Sequence, residues 1–218
     1  MTIKTDPREV ARYLSYRGTE PDGIVRSMIY DCIDEVNAAA VPKFICERFP
    51  LSRSEETGFQ AGGLRFSSRS LQRNLAGCQE VFLFAATLGI AVDTLIRRAA
   101  MLDAAKGLVM QAAAAAAIEA FCDEENDRLR EQVEAEGLFL RPRFSPGYGD
   151  LSLDCQRDFL RVLKAQKNIG LTLTDSGLMV PIKSVTAIIG ISSIPTPCHH
   201  QGCEECNKTD CAFRRLIN

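Results

Sequence analysis

The residues best suited to chemistry lie in the segment RFSPGYGD, which carries an Arg-x-x-x-Gly-Tyr pattern from Arg143 to Tyr148. The guanidinium of Arg143 presents a planar set of N–H donors that fits a carboxylate. Pro146 and Gly147 turn the backbone tightly enough to expose amide and carbonyl groups, and Tyr148 adds a flat ring. The pattern predicts a loop that holds an amino acid or a nucleoside, which we call the arginine loop (residues 143–148). A surface arginine beside an ordinary Pro-Gly turn is the alternative.

A second group of reactive side chains lies near the C-terminus, where four cysteines occur close together: Cys198, Cys203, Cys206 and Cys211. Thiolates in such a cluster, with a Cys-x-x-Cys pair at its centre, are typical ligands of zinc and of iron–sulfur clusters. The spacing does not decide between these two, and a segment of free thiols is the remaining alternative. The other five cysteines are scattered and are predicted to be small core residues.

Composition excludes several classes of partner. The chain has 218 residues and a formal net charge of -2, from 26 basic and 28 acidic residues, so it lacks the basic excess typical of nucleic-acid binding. Its first residues show no signal-peptide pattern, and its longest apolar run, residues 81–92, is far shorter than the ~20 residues that span a bilayer. We therefore expect a cytoplasmic protein with reduced cysteines and with no nucleic-acid or membrane partner.

The arginine loop needs a folded core to hold it, and the strongest core element is the apolar strand predicted from Glu80 to Leu88. A helix is predicted from Ile90 to about Met101, and a long alanine-rich helix from about Asp103 to Glu136. The six alanines from 112 to 117 favour a tightly packed central helix, and a cofactor groove along their shallow surface is the alternative. Glu119 follows these alanines and, where buried, needs an arginine or a ligand ammonium as its partner.

The remaining elements follow from capping residues, apolar periodicity and turn residues. Helices are predicted from Pro7 to Gly18, from Pro21 to before Pro42 and from Asp154 to Gln166, and strands at Lys43–Leu51, Leu64–Phe66, Leu171–Leu173, Leu178–Val180 and Ser184–Ser192. Proline and glycine exclude a helix from Leu138 to Asp150. Together the elements predict an α+β fold with a mixed or antiparallel sheet packed against several helices. One domain is expected over residues 1–193, followed by a cysteine-rich tail over 194–218.

Two patterns in the chain resemble the activation domain of cobalamin-dependent methionine synthase. The first is the arginine loop, and the second is Ser-x-x-Met-x-Pro-x-x-Ser-Val from Ser176 to Val185; the similarity extends over residues 78–192. In that family the Arg-x-x-x-Gly-Tyr motif binds S-adenosylmethionine. The resemblance implies that Arg143 binds the methionine carboxylate, that the backbone of Pro146 and Gly147 lines the ligand, and that Tyr148 packs beside it. Ser145, within the same loop, is also expected among the binding residues. No side chain is expected to act as a catalytic acid or base.

The resemblance also implies a function. A protein of this kind binds S-adenosylmethionine for the reductive methylation, and so the reactivation, of a corrinoid carried by another chain. The expected partners are the cobalamin-binding core of a split methionine synthase or another corrinoid protein, together with an electron donor. An iron–sulfur cluster at the four cysteines would supply or relay the electron. The chain would then be part of a methyltransferase system for methionine biosynthesis, and it would not be a complete enzyme by itself. The alternative is a non-catalytic corrinoid-protein adaptor with a structural zinc or iron–sulfur tail.

Overall fold

The computed structural model of the protein describes residues 2–16, 19–54 and 58–195. The described helices are α1 (Pro7–Tyr13), α2 (Gly23–Ala39), α3 (Arg69–Asn74), α4 (Ile90–Leu102), α5 (Ala104–Glu134), α6 (Cys155–Val162) and α7 (Ala165–Ile169). The described strands are β1 (Lys43–Pro50), β2 (Ser52–Ser54), β3 (Gly58–Ala61), β4 (Leu64–Phe66), β5 (Cys78–Thr87), β6 (Phe139–Leu140), β7 (Thr172–Leu173), β8 (Met179–Val180) and β9 (Ser184–Ser192).

Four strands form the central sheet in the order β1-β5-β9-β6, and each neighbouring pair is antiparallel. In the register of the sheet, Leu83 of β5 lies opposite Ile188 of β9, and Phe84 of β5 lies opposite Cys46 of β1. The sheet that was predicted as mixed or antiparallel is therefore antiparallel. The predicted α+β class with one long alanine-rich helix is confirmed.

Both faces of the sheet are buried, which explains why β5 is apolar at nearly every position. Neighbouring side chains along a strand point to opposite faces. Phe84 accordingly belongs to the core that the sheet forms with α1, α2, α4 and α5. Its neighbour Leu83 belongs to a second core, formed with α3, α6, α7 and the small sheet β2-β3-β4. The molecule thus has a helical layer on one face and a mixed layer on the other.

The long helix α5 lies in the first core, where it packs against α1, α2 and α4. Five of the six alanines from 112 to 117 are buried, which confirms the prediction of a tightly packed central helix over that of a cofactor groove. By length and composition α5 also passes the test for a membrane span, with a hydropathy of 1.3 in its most apolar window. Most of that window is buried by the rest of the protein, so α5 is a core helix.

The structure differs from the predicted elements at several places. The helix predicted from Asp154 to Gln166 is divided into α6 and α7, because Lys164 adopts a left-handed conformation with φ of 49°. This break redirects the chain so that Leu163 and Ala165, on either side of it, are both fully buried. Four elements were not predicted, namely β2, β3, α3 and β6. The tail predicted from 194 lies almost wholly outside the described residues, and the division into domain and tail stays a prediction.

Candidate functional site

A strap of extended chain places the arginine loop on the sheet. It begins with β6, which pairs with the end of β9, and continues with a hydrogen bond of 2.8 Å from the amide of Arg141 to the carbonyl of Gly190. Phe144 and Ile188 then exchange two backbone hydrogen bonds, at 2.9 and 2.8 Å. The strap therefore extends the sheet as far as Phe144, and it fixes the position of Arg143 against the helical layer.

The loop leaves the sheet directly after Phe144. Pro146 has no amide hydrogen, so the hydrogen-bond ladder with β9 cannot continue through it. The chain instead closes a tight turn, in which the amide of Tyr148 donates to the carbonyl of Ser145 at 3.0 Å and the amide of Gly147 donates to that of Leu151 at 2.8 Å. Gly147 has a φ of 90°, a conformation that residues with a side chain rarely adopt.

The side chain of Arg143 points inward to α5 and is only 15% exposed. Its Nη2 atom lies 3.0 Å from Oε2 of Glu119 and 2.9 Å from Oδ1 of Asp123. Burial alone would lower the pKa of Arg143, but the negative groups around it raise the pKa, so the guanidinium stays charged. Its Nη1 atom is buried and has no hydrogen-bond partner among the described residues. Arg143 is thus held by two carboxylates and keeps one donor group for a further acceptor.

The departure of the loop leaves part of the edge of β9 without a neighbouring strand. The backbone groups of Ile188 point away from β5 to Phe144, and backbone groups alternate in direction along a strand. The amide and carbonyl of Thr186 therefore point to the same side, where no described residue forms a hydrogen bond with them. Thr186 is 3% exposed, and its hydroxyl accepts a hydrogen bond from Gln156 at 3.3 Å. Buried backbone groups of this kind require a partner, which a ligand or an ordered water can supply.

Asp150, two residues after the arginine loop, fixes the chain to the start of α3. Its carboxylate accepts hydrogen bonds from the hydroxyl of Ser68 at 2.5 Å, from the amide of Ser70 at 3.0 Å and from the amide of Arg69 at 2.8 Å. The amides of Arg69 and Ser70 are free donors at the start of a helix, which a carboxylate satisfies well. The hydrogen bonds from Ser68, Ser70 and Arg69 lower the pKa of Asp150 below its usual range.

Replacing Asp150 with asparagine should therefore lower the melting temperature at pH 7. A carboxylate with a depressed pKa in the folded state stabilises the fold above its unfolded pKa of ~3.9, and this contribution is lost as the pH falls through the lower folded value. The difference between wild type and Asp150→Asn should shrink steadily below pH ~4. Thermal unfolding followed by circular dichroism across pH 2.5–7, with the exposed Asp158→Asn as the matched control, measures it. A difference that persists unchanged to the lowest pH would contradict the role given to the charge.

The structure brings part of the predicted site together. Arg143 and Ser145 are partly buried, Pro146 is buried, and Tyr148 is 57% exposed with its ring against that of Phe144. Glu119, expected to need an arginine or an ammonium, has Arg143 as its partner. Sequence reasoning did not single out Asp123, which pairs with Arg143, or the edge of β9 at Thr186. Neither position carries a local sequence signal, because both act through a contact with a distant segment.

The structure does not test the predicted metal site. The cysteines predicted to bind a metal, at 198, 203, 206 and 211, lie outside the described residues; within the described ranges no group of three potential ligands is placed to hold a metal ion. Two surface hollows of the described part, with volumes of about 620 and 510 Å³, are lined by residues of α3 and by residues of α2 with Lys106. Neither of these two hollows is lined by the arginine loop.

These features define a class of protein: an α+β domain whose antiparallel sheet lies between two layers and carries a tight Arg-x-x-x-Gly-Tyr loop at a strand edge. No protein-family model and no curated protein matches the chain, whereas 13 chains of solved structures do. One of these is the crystal structure of the MetH reactivation domain bound to AdoHcy, which is 18% identical to this chain with a TM-score of 0.61. The similarity covers 89% of this chain and 78% of that chain, so the protein has the fold of the MetH reactivation domain.

Proposed function

We propose that the protein binds S-adenosylmethionine at the arginine loop and serves the reactivation of a protein-bound corrinoid, as in a split cobalamin-dependent methionine synthase. The fold supports this proposal, since the similar MetH reactivation domain was crystallised with AdoHcy. The observation that carries it is the placement of Arg143, which lies largely behind the loop with two carboxylates beside it and with one donor group that has no partner among the described residues.

The charges around Arg143 suit the amino-acid end of the ligand. One guanidinium and two carboxylates leave a local charge of minus one, whereas S-adenosylmethionine carries a carboxylate, an ammonium and a cationic sulfonium. The unpartnered Nη1 of Arg143 can donate to the carboxylate. Glu119 and Asp123 can accept hydrogen bonds from the ammonium, and their negative charge favours the sulfonium over a neutral thioether. We therefore expect the ligand to be bound with its amino-acid end as a zwitterion and with its cationic sulfur near α5.

The strand edge suits the nucleoside end. The unpaired amide and carbonyl of Thr186 offer one donor and one acceptor in a fixed direction, which is the combination that a nucleobase edge requires. They lie beside the point where the loop turns away at Ser145 and Pro146. A ligand that spans from Arg143 to this edge would satisfy backbone groups that the described protein leaves unpaired. The exposed ring of Tyr148 marks the outer side of the loop, where a corrinoid protein would approach.

The chemistry of such a site comes from the ligand, since S-adenosylmethionine supplies a methyl group as a good electrophile. The residues of this chain bind and orient it, and none of the loop residues needs to move a proton. The four C-terminal cysteines would add a zinc site or an iron–sulfur centre that passes an electron, and their role stays a prediction from spacing. A cobalamin-binding methionine synthase core, an electron donor and a cytoplasmic location belong to the same proposal.

Calorimetric titration of the full chain tests the binding step. We expect saturable binding of S-adenosylmethionine, weaker binding of S-adenosylhomocysteine because it lacks the sulfonium charge, and about tenfold weaker binding of S-adenosylmethionine to Glu119→Gln, equivalent to ~1.4 kcal/mol. The matched control is Glu131→Gln, an exposed glutamate on the same helix, which should bind as wild type does. Absence of saturable binding in the wild type would overturn the proposal in favour of a non-catalytic corrinoid-protein adaptor.

A further inference from the structure

The exposed side of β4 and α3 carries a cluster of positive charge. The segment from Gly58 to Ala76 contains three arginines, Arg65, Arg69 and Arg73, and no lysine, aspartate or glutamate. All three arginines are exposed. Arg69 and Arg73 lie one turn apart on α3 and line, with Gln72 and Ala76, the surface hollow of about 620 Å³. We call this surface the basic face.

The arginines of the basic face are not compensated in the way that other helical arginines are. In the described part of the chain, Arg12, Arg128 and Arg161 each form an ion pair with an acid of their own helix. Among the described residues no carboxylate forms an ion pair with the guanidinium of Arg69 or Arg73; Asp150 contacts Arg69 only through the backbone amide, and Arg73 donates a hydrogen bond of 3.5 Å to the hydroxyl of Ser70. Two like charges one turn apart destabilise a helix, so the fold gains nothing from their spacing.

The rest of the molecule has the opposite charge. The segment from Ile90 to Glu136, which contains α4 and α5, has 10 acidic and 5 basic residues. This helical layer lies on the other face of the central sheet from α3. The net charge of -2 therefore hides a separation of charge across the sheet, and the basic face is local rather than part of a generally basic surface.

The basic face adjoins the arginine loop. Asp150 accepts hydrogen bonds from the amides of Arg69 and Ser70, so the chain directly after the arginine loop lies against the first turn of α3. A protein that covers the basic face would therefore lie next to the exposed ring of Tyr148. Docking at this place would bring a partner to the open side of the candidate site.

We propose that the basic face is a docking surface for a partner protein that presents clustered aspartate and glutamate carboxylates. Guanidinium groups bind carboxylates in a paired geometry, and complementary charge raises the rate of association. A nucleic acid fits less well, because the aromatic rings of the segment, Phe59 and Phe66, are buried and cannot stack on bases. A second copy of this chain would have to dock its helical layer head to tail, an arrangement that does not close into a dimer. The inference stands without the proposed ligand site.

Binding of the full chain to poly-L-glutamate, measured by fluorescence anisotropy at low and at physiological salt, tests the proposal. The double reversal Arg69→Glu with Arg73→Glu should weaken binding by about tenfold or more at low salt, and the affinity of the wild type should fall as salt rises. The matched control is Arg97→Glu with Arg98→Glu. It makes the same change in net charge at two exposed arginines of α4, and it should change the affinity by less than about twofold.

Each other outcome overturns the proposal. Poly-L-glutamate could fail to bind, or both double variants could weaken it equally. A single-stranded oligonucleotide that binds more tightly than poly-L-glutamate and is lost in the α3 variant would assign the face to nucleic acid. Self-association in sedimentation that the α3 variant abolishes would assign it to a second copy. Melting curves establish whether both double variants fold. If the α3 charge reversal does not fold, Arg69→Gln with Arg73→Gln replaces it. Because neither residue contacts the arginine loop through its side chain in any described hydrogen bond, S-adenosylmethionine titration of the same variants reports separately on the candidate site.

Discussion

Replacing Arg143 with alanine should lower the free energy of unfolding by about 3 kcal/mol and abolish saturable binding of S-adenosylmethionine. The substitution leaves the carboxylates of Glu119 and Asp123 close together without their shared cation, in a place where each side chain is only about a third exposed. That exposure puts the loss at the lower end of the range for breaking a buried ion pair. Urea unfolding followed by circular dichroism gives the stability, and calorimetric titration gives the binding.

Arg48→Ala is the matched control for this substitution. Arg48 also lies between two carboxylates, those of Glu80 and Glu136, but its side chain is 30% exposed and it lies on β1, at the other edge of the sheet. Because water screens these charges, Arg48→Ala should cost at most about 1 kcal/mol and leave the binding unchanged. If Arg143→Ala were as stable as Arg48→Ala and still bound the ligand, Arg143 would be an ordinary surface residue and the proposed site would be wrong.

The elements that could be predicted from the sequence carry their own stabilisation. Strand β5 is apolar because both faces of the sheet are buried, so its letters alone identify it. Helix α1 begins where predicted because Asp6 accepts a hydrogen bond from the amide of Arg8 and Pro7 needs no amide partner. In each case the signal lies within a few residues of the element, and no distant contact is needed to read it.

Two of the missed elements, α3 and β6, depend on distant residues. Helix α3 has six residues with no apolar periodicity of useful length, and its first turn is stabilised by the hydroxyl of Ser68 and by Asp150, some 80 residues further along the chain. Strand β6 has two residues and exists because the end of β9 offers it a partner. A short element whose hydrogen bonds come from elsewhere has no pattern of its own.

The candidate site divides in the same way. The turn at Pro146 and Gly147 follows from residue type, and so does the capacity of Arg143 to bind a carboxylate. Its inward direction does not, because that direction follows from the pairing of Phe144 with Ile188, which places Arg143 on the side of α5. The need of Glu119 for a cation was predictable, whereas the ion pair of Asp123 with Arg143 was not, because it depends on the same pairing.

Gly190 controls how closely the strap that carries Arg143 can approach the sheet, so replacing it with alanine should cost about 2–3 kcal/mol and weaken binding of S-adenosylmethionine. A Cβ atom at this position would lie 2.6 Å from Sγ of Cys78, 2.8 Å from Cδ2 of Leu75 and 3.0 Å from Cγ of Arg141. Leu75 and Cys78 are buried, so all three neighbours, including Arg141 of the strap, must shift to make room for the added methyl group. The control is Gly23→Ala, where a Cβ meets no atom within 4 Å at the start of α2 and stability should stay the same or rise slightly. If Gly190→Ala unfolded at the same urea concentration as Gly23→Ala, the strap would not be held by this contact. If Gly190→Ala were destabilised but bound the ligand as tightly as wild type, the position of the strap would not determine ligand binding.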